Sequence, residues 1–80
     1  MTHDEIFAVI RRNLIEVVPE LAGSPITPEQ SMRDLGANSI DRLDVVIAAQ
    51  DDLGIKVPAS ELAKADSLGA LSRIFSEYVS

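Results

Sequence analysis

The stretch LGANSIDRLD, residues 35–44, places a single serine hydroxyl where a glycine-containing loop gives way to a helical pattern. Ser39 could serve there in three ways. It could cap the helix, because a serine oxygen accepts a hydrogen bond from a backbone N–H in the first turn. It could be a catalytic nucleophile. It could also be modified by another enzyme, since the free N–H groups and positive dipole end of a helix tolerate a phosphate.

The catalytic interpretation has the least support. A serine nucleophile needs a base to take its proton and usually a third group that orients this base. The sole histidine, His3, lies far from Ser39 in sequence, and the chain has no G-x-S-x-G motif. Local pattern alone favours the helix cap, and it leaves the modification site open.

The composition bounds the remaining classes of function. The 80 residues suffice for one domain, residues 1–80, with a single modest core. Without cysteine and with one histidine, we expect no disulfide and no metal site. The 13 acidic residues outweigh 7 basic ones, for a net charge of −6. This balance argues against nucleic acid and anionic membranes as partners. It suits partners with basic patches, or solubility alone.

The sequence gives no sign of membrane insertion or export. No apolar run approaches the length of a membrane span, and residues 1–20 lack the basic-then-apolar order of a signal peptide. We therefore expect a soluble cytoplasmic protein, and we expect it to be a monomer.

The first half of the chain predicts one helix followed by a long loop. Thr2 and Glu5 form a capping-box pattern, and the apolar residues that follow share one helical face until Pro19 ends the helix near Val18. Residues 19–38, which are rich in proline and glycine, predict a long loop with a short helical turn that begins at a threonine cap, Thr27.

A second amphipathic helix is predicted from Ser39 to Leu53, with Gly54 as its stop. Its apolar arc is predicted to face the core and comprises Ile40, Leu43, Val46, Ile47 and Leu53. The acidic residues fall together on the other side of the helix, around Ala48, and comprise Asp41, Asp44, Asp51 and Asp52.

The last third of the chain predicts two further helices. A short third helix spans residues 58–64, and a fourth runs from a cap at Asp66 or Ser67 to about Val79. No segment alternates long enough to be a confident strand. The sequence therefore predicts an all-α fold, a small four-helix bundle of three main helices and one short helix.

The run DLGANSIDRLDVVIAAQDDLGIKVP resembles the signature of acyl carrier proteins, in which the serine of D-x-G-x-[DN]-S-[LI] receives 4′-phosphopantetheine. Length, acidic charge and helix order agree with this family over essentially the whole chain. The resemblance implies that Ser39 is the attachment site, through a phosphodiester, and that the chain is a non-catalytic carrier of acyl thioesters. The reactive sulfur would come with the cofactor, which fits the lack of cysteine.

The resemblance also implies a partner-binding surface around the second helix. The residues that it assigns to this surface are Asn38, Ile40, Asp41, Arg42, Asp44, Ile47, Ala48 and Asp51. Asn38 stands where the most familiar pattern has Asp. Because the core is largely aliphatic and can shift at modest cost, we further expect part of an acyl chain to enter between the second and third helices, near Val46, Ile47, Leu62 and Ala63.

The run GANSIDR is similar to freestanding carriers that serve β-branching cassettes of polyketide pathways, and Arg42 is a further feature of that subtype. Such carriers present malonyl, then acetyl, to an enzyme resembling HMG-CoA synthase. The implied partners are a phosphopantetheinyl transferase, an acyltransferase, a decarboxylating ketosynthase-like enzyme and an HMG-CoA-synthase-like enzyme. A fatty-acid or aminoacyl carrier, or an unmodified helical interaction module, remain the alternatives.

Overall fold

The computed structural model describes residues 2–79, and none of them lies in a strand. The elements are α1 (His3–Val17), a 3₁₀ turn (Pro19–Gly23), α2 (Ser39–Leu53), α3 (Ala59–Leu62) and α4 (Leu68–Tyr78). Helix α1 packs against both α2 and α4, while α3 contacts α4. The predicted all-α bundle of three main helices and one short helix is confirmed. Over the part of the chain that is described, no helix has the length and apolarity needed to cross a membrane.

Helix α1 begins as the sequence predicts. Thr2 Oγ1 accepts from the Glu5 N–H at 3.2 Å, and Glu5 Oε1 accepts from the Thr2 N–H at 3.0 Å. The helix buries one apolar stripe against α2 and α4. The largest side chains enclosed in this core are Ile6, Ile10, Leu14, Val45, Leu68 and Phe75.

Helix α2 buries a different face from the one predicted. Its buried residues are Val45 and Ala49, whereas Ile40, Leu43 and Ile47 are exposed by 71%, 58% and 54%. Three of the five residues of the predicted apolar arc therefore lie outside the core, while Val46 and Leu53 pack against it. Helix periodicity identifies an apolar stripe, but close packing against α1 selects the side with the small alanine and valine.

The long segment between α1 and α2 is more ordered than a loop. Pro19–Gly23 forms the 3₁₀ turn and buries Leu21. The turn at residues 27–30 is present, but its side-chain bond comes from Gln30 Oε1, which accepts from the Thr27 N–H at 2.8 Å. Two bonds then tie this turn to α4, from the Leu68 N–H to the Gln30 carbonyl and from the Gly69 N–H to the Pro28 carbonyl.

The bond from Gly69 to the Pro28 carbonyl brings the two backbones so close that a side chain at position 69 would be crowded. A Cβ added at Gly69 would lie 3.1 Å from Pro28 Cβ and 3.2 Å from its carbonyl oxygen. The predicted cap of α4 at Ser67 is confirmed, since its Oγ accepts from the Ala70 N–H at 3.1 Å. Helix α3 is shorter than residues 58–64, because Pro58 is its extended cap and the helix ends at Leu62.

A polar contact joins the C-terminal half of α2 to α1. Asp52 Oδ2 accepts from Asn13 Nδ2 and from Arg12 Nη2, both at 2.9 Å. Asn13 is buried, and the same amide nitrogen also donates to the Val9 carbonyl. Asp52 therefore faces α1, and the prediction that it belongs to one acidic face with Asp44 and Asp51 is wrong. The Asn13 amide, followed by the Arg12 guanidinium, lowers the pKa of Asp52 below its ordinary value of 3.8.

We expect this contact to make stability depend on pH in the acid range. Because the pKa of Asp52 is lower in the folded chain, its carboxylate stabilises the fold above the unfolded pKa, and this contribution is lost as pH falls through the folded pKa. Asp52→Asn should lower the free energy of unfolding at neutral pH, and its difference from wild type should vanish in strong acid. Denaturant unfolding across this pH range measures both effects. The exposed neighbour gives the control, Asp51→Asn; an equal loss there would refute the assignment.

Candidate functional site

Ser39 occupies the first position of α2, and Asn38 caps the helix. Asn38 Oδ1 accepts from the Asp41 N–H at 2.8 Å, and Asp41 Oδ2 accepts from the Asn38 N–H at 3.3 Å. The interpretation of Ser39 as the cap is therefore wrong. A cap needs extended backbone so that its side chain can reach back to the first turn, and the extended residue here is Asn38, with ψ −179°.

A hydrogen-bonded turn at residues 32–37 places Asn38 at the N-terminus of α2. The N–H groups of Gly36 and Ala37 donate to the carbonyls of Arg33 and Met32 at 3.1 and 3.0 Å. Gly36 has φ +94°, in the left-handed region that favours glycine. Ala37 is buried in the core directly before the cap. The serine therefore follows backbone that is hydrogen-bonded and anchored on its N-terminal side.

Ser39 is exposed, and within the described part of the chain its side chain forms one hydrogen bond, with Arg42. Arg42 Nη2 donates to Ser39 Oγ at 3.3 Å. Among residues 2–79, no carboxylate or imidazole forms a hydrogen bond with Ser39. His3 lines a separate pocket near Pro28 and Arg73. An arginine does not lose its proton in proteins and cannot serve as the base, so the arrangement does not activate Ser39 as a nucleophile by itself.

A largely apolar cleft of about 440 Å³ opens beside Ser39, between α2, α3 and α4. Three of the residues predicted to lie next to an acyl chain line it: Val46, Leu62 and Ala63. Ile47 does not, because it projects from the exposed side of α2. The side chains that line the cleft include Met32, Ser39, Arg42, Leu43, Val46, Leu62, Ala63, Leu68 and Leu71. Entry of an acyl chain into this cleft stays a prediction.

An apolar strip, formed by Ile40, Leu43 and Ile47, runs along the exposed face of α2 from the serine. These residues are three and four positions apart, so they lie side by side on the helix. Asp44 and Asp51 are exposed along the same face. The sequence had placed Ile40 and Ile47 both in the core and on the partner surface, and the structure places them on the surface. Large apolar side chains grouped in this way are typical of an interaction site.

Three other residues that were predicted to bind partners, Asp41, Arg42 and Ala48, lie beside the exposed face of α2 and not on it. Asp41 is committed to the helix cap, and both Asp41 and Ala48 are half-buried. Arg42 lies on the opposite edge of α2 from Ile40, at the cleft. Leu43, which the sequence had assigned to the core, belongs to the exposed strip. Its spacing of three and four residues from Ile40 and Ile47 was the signal that could have placed it there.

The cap of α2 can be tested separately from the serine. We expect Asn38→Ala to lower the free energy of unfolding by about 0.5–2 kcal/mol, because the Asp41 N–H loses its acceptor. Asn38→Asp keeps an acceptor oxygen and should stay near wild type. Denaturant unfolding gives the energies, and hydrogen exchange at the Asp41 amide reports the cap directly. Equal stability and equal exchange in Asn38→Ala and wild type would show that the cap contributes nothing.

The sequence matches a known family model and is similar to individual known proteins. The family model described as phosphopantetheine attachment site matches residues 11–75. The chain is 35% identical over 79 residues to the polyketide biosynthesis acyl-carrier-protein AcpK of Bacillus subtilis (strain 168), covering 99% of this chain and 96% of that protein. It is also 34% identical over 70 residues to the meromycolate extension acyl carrier protein of Mycobacterium tuberculosis (strain ATCC 25618 / H37Rv), covering 86% of this chain and 60% of that protein.

The fold has a close match among solved structures. A chain in the crystal structure of the curacin biosynthetic pathway HMG synthase in complex with acetyl donor-ACP superposes with a TM-score of 0.89 and 31% sequence identity, covering 96% of this chain and 99% of that chain. The family match over most of the chain, together with a relative aligned over nearly its whole length, shows that this chain belongs to the acyl carrier protein family, whose members carry phosphopantetheine.

Proposed function

We propose that Ser39 is the attachment site for 4′-phosphopantetheine and that residues 1–80 act as one carrier domain in polyketide biosynthesis. The observation that carries the proposal is the state of the Ser39 hydroxyl. It is exposed at the first position of a helix and borders an apolar cleft. It does not serve as the helix cap, because Asn38 does. The free N–H groups and the positive dipole at this helix end favour a phosphate on the serine.

The residues present fit the prosthetic group. A phosphodiester on Ser39 Oγ would lie beside the Arg42 guanidinium, the one cationic side chain on α2. The group supplies a terminal thiol on which acyl groups are held as thioesters, and a chain without cysteine offers no competing thiol of its own. The protein contributes the position of the attachment point, the adjacent cleft and the exposed surface that partners read.

We propose that the chain performs no catalysis itself. Within residues 2–79, the Ser39 side chain forms a hydrogen bond with an arginine, which is a donor only, and with no group that could accept its proton. The base for attachment would then come from a phosphopantetheinyl transferase, and the acyl chemistry would come from the enzymes that the carrier visits. Ser39 is the substrate of another enzyme in this proposal.

We propose that partners dock on the apolar strip of α2 and its flanking acids, Asp44 and Asp51. The strip supplies apolar area directly beside the attachment point, and the acids supply a charge pattern that complementary basic residues can recognise. The overall charge of −6 has the same sign as this surface. A partner face with an apolar centre and a basic rim fits it.

The pathway follows from the relatives. The likeness to the polyketide carrier of Bacillus subtilis and to the chain of the curacin complex supports service in a polyketide pathway with an HMG-CoA-synthase-like partner. The cargo in this proposal is malonyl, then acetyl. An acyltransferase would load the malonyl group, and a decarboxylating ketosynthase-like enzyme would convert it to acetyl. Likeness to the mycobacterial carrier keeps a fatty-acid role as the alternative.

Attachment at Ser39 can be measured by mass. Co-expression with a broad phosphopantetheinyl transferase should raise the intact mass by one phosphopantetheine group, and Ser39→Ala should abolish the increment. Ser60→Ala, at an exposed serine of α3, is the matched control and should be modified normally. Peptide mapping that places the group on Ser31, Ser60 or Ser67 contradicts the assignment. A wild-type chain without any increment would favour an unmodified interaction module.

The docking surface can be tested through acyl transfer. We expect Asp44→Lys to slow transfer to a cognate HMG-CoA-synthase-like enzyme severalfold at low salt, because it replaces an attractive rim charge with a repulsive one. High salt should reduce the effect, since exposed charges are screened beyond about 8 Å at physiological ionic strength. Ile40→Asp should slow transfer at least as much and leave the unfolding free energy near wild type, because Ile40 is exposed.

The control for charge reversal is Glu16→Lys, at an exposed position of α1. It changes the net charge by the same amount away from the proposed surface, so its transfer rate should stay near wild type. Circular dichroism checks that all three variants are folded. Equal initial rates for wild type and Asp44→Lys at low salt would show that the acids serve solubility alone.

A further inference from the structure

Arg42 is a cationic residue on an otherwise acidic helix. It is the one cation among the 15 residues of α2, which also carries four aspartates. Its side chain is half-buried and lines the mouth of the cleft, one turn after Ser39. The ion pairs recorded among residues 2–79 are Arg12–Asp52 and Lys64–Glu61, so Arg42 pairs with no carboxylate in this part of the chain.

The recorded contact of Arg42 is weak for such a side chain. A guanidinium has five N–H donors in a planar fork suited to carboxylate and phosphate oxygens. Here one nitrogen donates to the neutral oxygen of Ser39, at a long distance of 3.3 Å. A phosphodiester on this same oxygen would place two non-bridging oxygens, which share one negative charge, two bonds away from Ser39 Oγ. Arg42 then gains charge-assisted, bidentate bonds that the free hydroxyl cannot offer.

We propose that Arg42 binds the phosphate of the prosthetic group on Ser39 and directs the arm along the cleft. This inference rests on the proposed attachment at Ser39. Arg42 lies on the cleft side of α2, with Val46 one turn further along, whereas Ile40 and Ile47 of the apolar strip lie outside the cleft and Leu43 borders it. A phosphate drawn towards Arg42 therefore turns the arm towards Val46 and Leu62 and away from Ile40. Arg42 is a positioning residue, and the half-buried guanidinium holds the arm near the protein between encounters with partners.

The test compares modified protein with and without the guanidinium. Wild type, Arg42→Gln and Arg42→Lys are converted to the phosphopantetheine form, and the intact mass confirms the modification of each. Phosphorus NMR then reads the environment of the phosphodiester, and nitrogen-15 NMR reads the Arg42 Nε–Hε group. Methyl resonances of Val46 and Leu62 report the arm in the cleft. Arg73→Gln is the matched control, because Arg73 is an exposed arginine on α4 that borders a separate pocket.

We expect attachment to shift the Arg42 Nε–Hε resonance. The phosphorus resonance of Arg42→Gln should differ from wild type and lie near that of the same phosphodiester in the denatured protein, and Arg42→Lys should be intermediate because it keeps charge without the fork. Arg73→Gln should match wild type. For a partly exposed pair, the population of the docked arm should fall about two- to fivefold in Arg42→Gln, seen as smaller shifts at Val46 and Leu62.

Two failures can be told apart. If the mass rises but wild type and Arg42→Gln give the same phosphorus and cleft resonances, the role of Arg42 is overturned while attachment at Ser39 stands. If the mass does not rise at Ser39, the proposed function fails, and the inference fails with it. Circular dichroism of each variant excludes misfolding as the cause of a shift, and a change in Arg42→Gln that Arg73→Gln reproduces would also overturn the proposal.

Discussion

The pair of hydrogen bonds between Asn38 and Asp41 is the constraint on which the site depends. A helix must satisfy its first N–H groups, and the nearest oxygen-bearing side chain commonly does so. Had Ser39 supplied that oxygen, its hydroxyl would point back at the backbone. Because Asn38 accepts from the Asp41 N–H and Asp41 accepts in return, α2 begins one residue earlier and the Ser39 oxygen is not used as the helix cap. A contribution of only about 1 kcal/mol thereby determines whether the serine is available.

Helix α2 must pack against the core and must also expose apolar side chains beside Ser39. Turning Ile40, Leu43 and Ile47 into the core would stabilise the fold by about 1.5–3 kcal/mol for each side chain fully buried. Instead α2 meets α1 through Val45 and Ala49. Polar bonds hold its C-terminal half, including the Gln50 side chain, whose Oε1 accepts from the Val57 N–H at 2.7 Å. The helix is thus fixed at the end away from Ser39, and its N-terminal half is free to expose apolar surface beside the serine.

Features that a local interaction decides are predictable from the sequence. The capping box at Thr2 consists of hydrogen bonds within one turn, and so does the cap of α4, which was predicted at Asp66 or Ser67 and lies at Ser67. Features that distant packing decides are not predictable in this way. Nothing near Ile40 shows that α1 takes the small side of α2, and nothing near Asp52 shows that its partners are Arg12 and Asn13, 40 and 39 residues away. Asn38 and Ser39 are both good caps, so only the backbone geometry separates them. The motif around Ser39 identified the candidate site, and three of the four residues expected beside an acyl chain line the cleft, but the contribution of α4 to the cleft was not predicted.

Ser39 stands where two surfaces of α2 meet. The cleft has Arg42 at its mouth, and the apolar strip borders the cleft at Leu43 and continues to Ile40 and Ile47, with Asp44 beside them. A carrier must keep its cargo close while it diffuses and release it to an enzyme when it docks. Charge can separate these states, because an anionic phosphate is attracted to Arg42 and repelled by the acids on the docking side. A partner whose rim is basic would cover those acids and compete with Arg42 for the phosphate. Docking on the strip would then weaken the hold on the arm, so one charge pattern could govern both retention and delivery.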